Sequence, residues 1–547
     1  MGYPTKVQLI SRKQGADQYY INFPTAVAEA MEFQKGEIIE WIIEDKANII
    51  AHRPVVPPSP VTIAEKKNAT PLLSAWEGLW KQCARKASTT GSCTRRLREH
   101  LLAHLVCPGR HTVSALITVF GKQFQDWSAD YSLYAKDRVH EEAIFAQVRK
   151  EVEALGEAKR PLCVALDDTI LRKTGKHIPG TAYRRDPLGP AFNLNLVWAQ
   201  RMLQLSAAVC DENCDVRMVP VAFLNASTPH KPRKTAPPEA LQAYKEEMKQ
   251  RNLNALARQA LEGLQRERAR EHGGVSPSLH VLVDGSYTNR KMLRALPANT
   301  TLIGRIRKDA KLNAKPDTQA AQGRKRLYGE ALPTPEQIRQ DPAIPWVAVE
   351  ARVNAKWRNF EIKTLAPVRW RAAGKMDLRL VVIRPVGYRP RRGARMAYTQ
   401  PAYLICTDPD LPLEDLLQEY VWRWDIEVNH RDEKTILGVG QAQVRNENSV
   451  ENIPATAVAA YAMLLVAALK AYGKGGKPTA IPPAKWRRPS KKIRPSTQDL
   501  LNELRRELWA KAVRSEHLSD FMNAALNRTK PMKCEPNLCS TIFAAAA

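Results

Sequence analysis

One stretch combines residue types and spacing that could do chemistry. In YVWRWDIEVNHRDEK, residues 420–434, Tyr420, Arg423, Glu427 and Lys434 follow one another at steps of three, four and seven. On a helix those steps put all four on one face. A tyrosine, an arginine, a carboxylate and a lysine are too polar for a core seam and too ordered for a solvated face. Two more carboxylates end short apolar runs, Asp168 after LCVAL at 162–166 and Asp284 after LHVLV at 279–283. Carboxylates at the ends of core strands are costly unless they meet a cation. Three from separated elements, Asp168, Asp284 and Glu427, can share two divalent ions and leave positions for water and phosphate oxygens. Such a metal pair activates a water or a 3′-hydroxyl and stabilises the leaving oxygen. Mg2+ is the natural occupant and Mn2+ a substitute. Asp167, one residue earlier, is the alternative to Asp168 as first ligand.

The elements that must hold these groups follow from the hydrophobic pattern. A buried strand ending in Asp167-Asp168-Thr169 is followed by strand-like runs at 192–198, 203–209 and 218–224. One long, highly charged helix is predicted across 238–270, then the apolar strand running into Asp284-Gly285. A short helix at 289–296 and a strand at 301–306 come next. Residues 307–400 break the rhythm: they are rich in Arg, Lys and Pro, and carry Trp346, Trp357 and Trp370. They predict an inserted β-rich segment facing nucleic acid, at about 307–400. A strand at 403–406 resumes the core, and Pro412 opens the helix with the four-residue stripe.

Around this core, residues 1–54 predict a small β domain, with strands at 6–11, 18–23, 38–43 and 48–51 and a short helix at 24–31. A proline-rich linker at 54–60 follows. Residues 64–152 are helical in pattern, with short basic helices and tight breaks that suit either a DNA reader or a plain helical bundle. After 437 come further helices to 547, with the apolar run 455–469 too short for the ~20 residues that span a bilayer. Between them lies a basic Gly/Pro-rich segment at 473–495. Ser496 and Asp499 form a capping pair for a last helix.

The chain has 547 residues, 84 Lys and Arg against 56 Asp and Glu, and a net charge of +28. That surplus calls for a polyanion, and nucleic acid is the default. No apolar run follows a basic start at the first residues, so a cytoplasmic, nucleoid-associated protein with no membrane partner is expected. Nine cysteines show no CxxC spacing, so reduced thiols and no zinc site are expected.

The order strand-Asp, strands, helix, strand-Asp, insertion, helix-Glu resembles the RNase H-like core of DDE transposases. The spacing Y-x2-R-x3-E-x6-K of Tyr420, Arg423, Glu427 and Lys434 resembles the signature of bacterial insertion-sequence transposases that cut and paste through a DNA hairpin. Asp168-Thr169 resembles that family's first-aspartate motif, and Val283-Asp284-Gly285 its second. The resemblance covers about residues 160–445, with the catalytic core at 160–437, and 1–54 resembles AbrB/SpoVT-type swapped-hairpin domains. It implies an α/β protein with an RNase H-like catalytic core, metals on Asp168, Asp284 and Glu427, and phosphate or flipped-base contacts from Tyr420, Arg423 and Lys434. A tryptophan of the insertion, Trp357 or Trp370, would stack on the flipped base. The partners implied are double-stranded DNA, as terminal inverted repeats and target, and a second copy in a synaptic complex. The competing readings are a catalytically inactive, transposase-derived DNA-binding protein and a recombinase using Tyr420 as nucleophile. The three carboxylates argue against the first. The register of Tyr420 with a carboxylate and a lysine argues against the second.

Overall fold

The computed structural model describes residues 70–515 except 158–159, 187–191, 228, 230, 317–325, 477 and 479–493. Within the first 54 residues it describes 7–10, 16, 18–22, 27, 31, 37–45 and 47–54. Most of the expected helix at 24–31, of the linker at 54–60 and of the basic segment 473–495 lies outside the described residues, as does 516–547. The chain divides into two units, Met1–Pro71 and Leu72–Ala547.

The first unit shows two antiparallel hairpins, β1 (Val7–Ile10) with β2 (Gln18–Ile21), and β3 (Glu40–Ile43) with β4 (Ile49–His52). Asp45 closes the second by accepting from the backbone N–H groups of Ala47 at 2.6 Å and Asn48 at 2.8 Å. Their apolar side chains stay open to solvent, with Ile43 76% and Ile49 58% exposed.

The second unit begins with five helices, α1 (Pro71–Cys83), α2 (Gly91–Val106), α3 (Val113–Val119), α4 (Ser128–Ala135) and α5 (Glu141–Leu155). Thr90 and Thr112 cap α2 and α3 by accepting from Cys93 N and Ala115 N. Then come β5 (Leu162–Arg172), β6 (Ala182–Arg185), β7 (Leu196–Cys210) and β8 (Val216–Asn225). The charged helix expected across 238–270 is two helices, α6 (Pro238–Gln250) and α7 (Leu253–Glu271). Asn252 makes the break: its backbone is extended and its side chain accepts from Ala255 N at 3.0 Å, so it caps a new helix instead of continuing the old one. After β9 (Leu279–Val283) follow α8 (Arg290–Leu293), β10 (Thr300–Arg305), β11 (Leu312–Ala314), α9 (Pro335–Gln340), β12 (Val347–Val353), β13 (Lys356–Trp370), β14 (Leu378–Ile383), the short pair β15 (Gly387–Tyr388) and β16 (Ala397–Tyr398), and β17 (Ala402–Cys406). Four helices close the described chain: α10 (Leu413–Trp422), α11 (Asp425–Thr435), α12 (Glu447–Tyr472) and α13 (Thr497–Ser515).

One 11-stranded mixed sheet organises this unit. Its heart has the order β8-β7-β5-β9-β10, antiparallel from β8 to β5 and parallel from β5 to β10. This is the strand order expected of an RNase H-like core. The inserted segment does not stand apart from it. Strands β17, β14 and β13 add to the β10 edge in antiparallel fashion, with β11 and β12 beside β13. The free edge of β10 is thereby paired, which removes a row of unsatisfied backbone groups.

Both faces of the sheet are covered, and β5 shows how. Val164 and Leu166 enter the core beneath α1–α5, α7, α12 and α13, whereas Cys163 and Ala165 enter the core beneath α10 and α11. Helix α12 is long and apolar enough to cross a membrane, yet 94% of its apolar window is buried inside the protein. At the chain's far end, Ser496 Oγ and Asp499 cap α13 reciprocally, as the capping pair predicts. Further along α13, Glu507 accepts from Leu72 N at 3.1 Å and Leu73 N at 2.6 Å, and so satisfies the first turn of α1.

Candidate active site

The parallel register of β5 and β9 sets the site. Leu166 is paired with Val283, so Asp167 and Asp284 occupy the next level on strands about 4.8 Å apart. Gly304 of β10 pairs with Val283 and brings Arg305 to the same level. A side chain at 304 would collide with Thr288 Oγ1 and Val283, and Thr288 Oγ1 donates to Asp284 O at 2.9 Å; glycine lets the Asp284 turn close onto the strand. The Asp284 carboxylate itself accepts from Ser286 N at 2.8 Å and Ser286 Oγ at 3.1 Å.

Side chains alternate along a strand, so Asp167 and Asp168 point to opposite faces. Asp167 faces the α10–α11 side. Its Oδ2 lies 3.9 Å from Arg423 Nη1, which is also 3.9 Å from Glu427 Oε1. Asp168 faces the other side and is saturated there. Arg201 Nε donates to its Oδ2 at 2.7 Å and Tyr287 Oη to its Oδ1 at 2.9 Å. The first aspartate expected from the sequence was Asp168; the geometry sets Asp167, the alternative, with Glu427 and Asp284 instead.

Burial pushes the Asp167 carboxyl up to about 7, with Glu427 and Asp284 adding to the rise and the buried His430 and the Asp168 N–H opposing it. His430, buried beside Asp167, is thus part of the site. Its Nε2 is buried without a hydrogen-bond partner.

The stripe of Tyr420, Arg423, Glu427 and Lys434 survives, but not on a single helix. α10 ends at Trp422 and α11 starts at Asp425. Across the joint, Ile426 N donates to Arg423 O at 3.2 Å and Glu427 N to Trp424 O at 3.1 Å, each a tightened three-residue step. All four residues still address one groove. The Arg423 guanidinium lies 5.8 Å from the centre of the Tyr420 ring. Burial raises the Tyr420 hydroxyl's pKa; Arg423 and Arg305 pull it down, and Asp284 pushes it up. Burial lowers the Lys434 pKa, opposed by the carboxylates of Glu433, Glu427 and Asp167. Tyr420 Oη and Arg423 Nη1 are buried without a hydrogen-bond partner.

The two tryptophans take other places. Trp370 packs half-buried against the larger core. Trp357 is 53% exposed and leans on Arg352, which pairs with Asp215 in the β7–β8 turn at 2.7 Å. That turn follows Cys210, six residues along β7 from Gln204, the partner of Asp167, or roughly 20 Å away. Neither tryptophan lies beside the carboxylates.

Residues the sequence reading missed include Arg201, Tyr287 and Arg305. Only Tyr287 carried a local signal, three residues after Asp284. Burial, and then the neighbouring carboxylate of Asp168, drive its hydroxyl's pKa far up, so it serves as a fixed donor.

The site fits divalent metal. Three carboxylates are hard oxygen donors, and the burial and neighbouring carboxylates that push the Asp167 carboxyl up are what a bound cation would offset. An α/β sheet bearing such a carboxylate cluster suits the metal-dependent hydrolysis of a phosphodiester. The family model described as DDE superfamily endonuclease matches residues 89–374, just over half of the chain, and the chain belongs to that family. Endonucleases of this superfamily generally use divalent metals and act on DNA. No curated protein matches the chain. The matched region contains Asp167 and Asp284 and stops short of Glu427, which enters the site through the packing of α11 alone.

Proposed function

We propose that the protein is the DNA transposase of an insertion sequence, which cuts and joins DNA at the element's ends. The supporting observation is the groove in which Asp167, Asp284 and Glu427 meet Tyr420, Arg423 and Lys434. Asp167, Asp284 and Glu427 would hold two Mg2+ ions, or Mn2+ in their place. When bound, these ions supply charge stabilisation of the attacked phosphate and a more acidic nucleophile. Arg423 and Tyr420, whose Nη1 and Oη atoms are buried without a satisfied hydrogen bond, bind phosphate oxygens of the DNA end, and Lys434 adds a cation at the far end of α11. Asp168 keeps its two donors, Arg201 and Tyr287, and so holds β5 in place next to Asp167.

The reaction course follows the signature. Water attacks the phosphodiester at the end, the freed 3′-hydroxyl attacks the opposite strand to make a hairpin, water opens it, and the 3′-hydroxyl attacks target DNA. Two copies would join two ends. The open apolar faces of the N-terminal hairpins, with Val7, Leu9, Ile43 and Ile49 exposed, suit an AbrB-like dimer at that stage. The test is nicking of a DNA end in Mg2+. Asp167→Asn, Asp284→Asn and Glu427→Gln are expected to abolish it, and binding of the same DNA with no nicking by the unaltered protein would replace the proposal with an inactive DNA-binding protein.

A further inference from the structure

The two strands that lead to the aspartates meet a helix a second time, one layer deeper. Cys163 lies on β5 four residues before Asp167, His280 on β9 four residues before Asp284, and Glu419 on α10, the helix that precedes the one carrying Glu427. Cys163 and His280 are direct partners in the parallel register. One ligand atom from each of Cys163, His280 and Glu419 lies within 4.8 Å of the other two, the one such group among the described residues. All three side chains are buried, at 5%, 5% and 6% exposure. His280 Nδ1 donates to Glu419 Oε2 at 2.7 Å, and the Cys163 thiol, 3.9 Å from Pro161 O, also lies within hydrogen-bonding reach of the Glu419 carboxylate.

We propose that Cys163, His280 and Glu419 form a structural site for a divalent transition metal of the Zn2+ class, distinct from the acidic groove above it. A thiol, an imidazole and a carboxylate are the donors this ion prefers. With bonds of about 2.0–2.3 Å, tetrahedral donors sit roughly 3.3–3.8 Å apart, so small side-chain shifts close the cluster onto an ion. A thiolate and a carboxylate also neutralise the 2+ charge, which lets the site stay dry at little electrostatic cost. Without metal, burial holds the thiol protonated, and the Glu419 carboxylate adds to that effect. An ion here ties β5, β9 and α10 together beneath Asp167, Asp284 and Tyr420. The sequence gives no hint of it, because the ligands are 117 and 139 residues apart.

The full chain, purified without chelator, is assayed for metal by mass spectrometry and titrated as apoprotein with Zn2+ and with Co2+ as a spectroscopic probe. One equivalent of Zn2+ is expected in the unaltered protein and in Asp167→Asn, which separates this site from the acidic groove. Co2+ should give thiolate charge-transfer absorption that Cys163→Ser lacks. Cys163→Ser and His280→Gln, checked for native circular dichroism, should each weaken binding by more than about tenfold, the least that even an outer partner costs a metal site. Should the unaltered protein bind neither ion at micromolar concentrations, or should Cys163→Ser and His280→Gln bind both unchanged, the cluster is a hydrogen-bonded pair beside an inert thiol and the proposal fails.

Discussion

Asp167→Asn should make the metal-free protein more stable while destroying its activity. Asp167 titrates near 7 in the folded chain against an ordinary 3.8. Between those two pH values the folded state binds more protons than the unfolded state, so stability falls as pH rises through that window and stays low above it. Holding the carboxylate ionised at pH 8 costs on the order of 4 kcal/mol, from about 1.36 kcal/mol per pH unit. Asparagine escapes that cost and forfeits the attraction to His430 and the 3.9 Å approach to Arg423. A gain of about 2–4 kcal/mol corresponds to a few degrees of Tm in a unit of this size. The assay is thermal unfolding in chelator from pH 5 to 8, repeated with Mg2+. The unaltered protein should lose stability toward pH 8 and regain it with Mg2+, by mass action on the folded state. Asp167→Asn should show neither response. Asp168→Asn is the control: it breaks bonds to Arg201 and Tyr287, so it should lose about 1–3 kcal/mol and keep the Mg2+ response. If Asp168→Asn were the stabilised, metal-insensitive variant, the placement of Asp167 in the groove would be wrong.

Other outcomes follow from the same geometry. Apparent Mg2+ affinity, read from thermal shifts, should fall about tenfold per pH unit below 7 as Asp167 takes up its proton, and level off above. Arg423→Ala should slow single-turnover nicking about 10–100-fold, the worth of a charge-assisted hydrogen bond of roughly 1.5–3 kcal/mol. Trp370→Ala should cost about 2–3 kcal/mol in urea unfolding through lost packing, whereas Trp357→Ala should change stability by less than about 0.5 kcal/mol and leave nicking alone. Lys173, buried and donating to Gly440 O and Ala442 O, titrates near 8 instead of 10.5. Folding therefore excludes protons in that window, stability rises with pH across it, and Lys173→Met should abolish the rise. Gly440, at φ +94 with Leu171 Cβ 2.9 Å from any added Cβ, should lose more than about 1 kcal/mol on substitution by alanine in the same measurement.

Much of the core was legible from local pattern. The apolar runs at 162–166 and 279–283 are buried strands, and Glu427 lies on a helix after an insertion, because burial and periodicity are written in consecutive residues. The misreadings share a cause. The helix expected across 238–270 is cut by one cap at Asn252, and the continuous helix expected at 420–434 is jointed at Arg423–Trp424, where competing local hydrogen bonds outweigh an unbroken hydrophobic stripe. Where the strands of the insertion attach, at the β10 edge of the main sheet, was beyond any local pattern, since those partners lie far along the chain.

The sequence by itself determined the chemistry available: a strongly basic chain, carboxylates at the ends of two strands, and a helix face bearing Tyr420, Arg423, Glu427 and Lys434. It pointed to Asp168 rather than the adjacent Asp167 as the aspartate that joins them. Strand side chains alternate with a period of two, so a shift of one residue exchanges the faces, and only the pairing of β5 with β9 and the packing of α10 and α11 on one side decide the matter. The same packing gathers Cys163, His280 and Glu419, and it sends Trp357 and Trp370 away. Contacts between residues more than a hundred positions apart are properties of the folded sheet, and no local spacing encodes them.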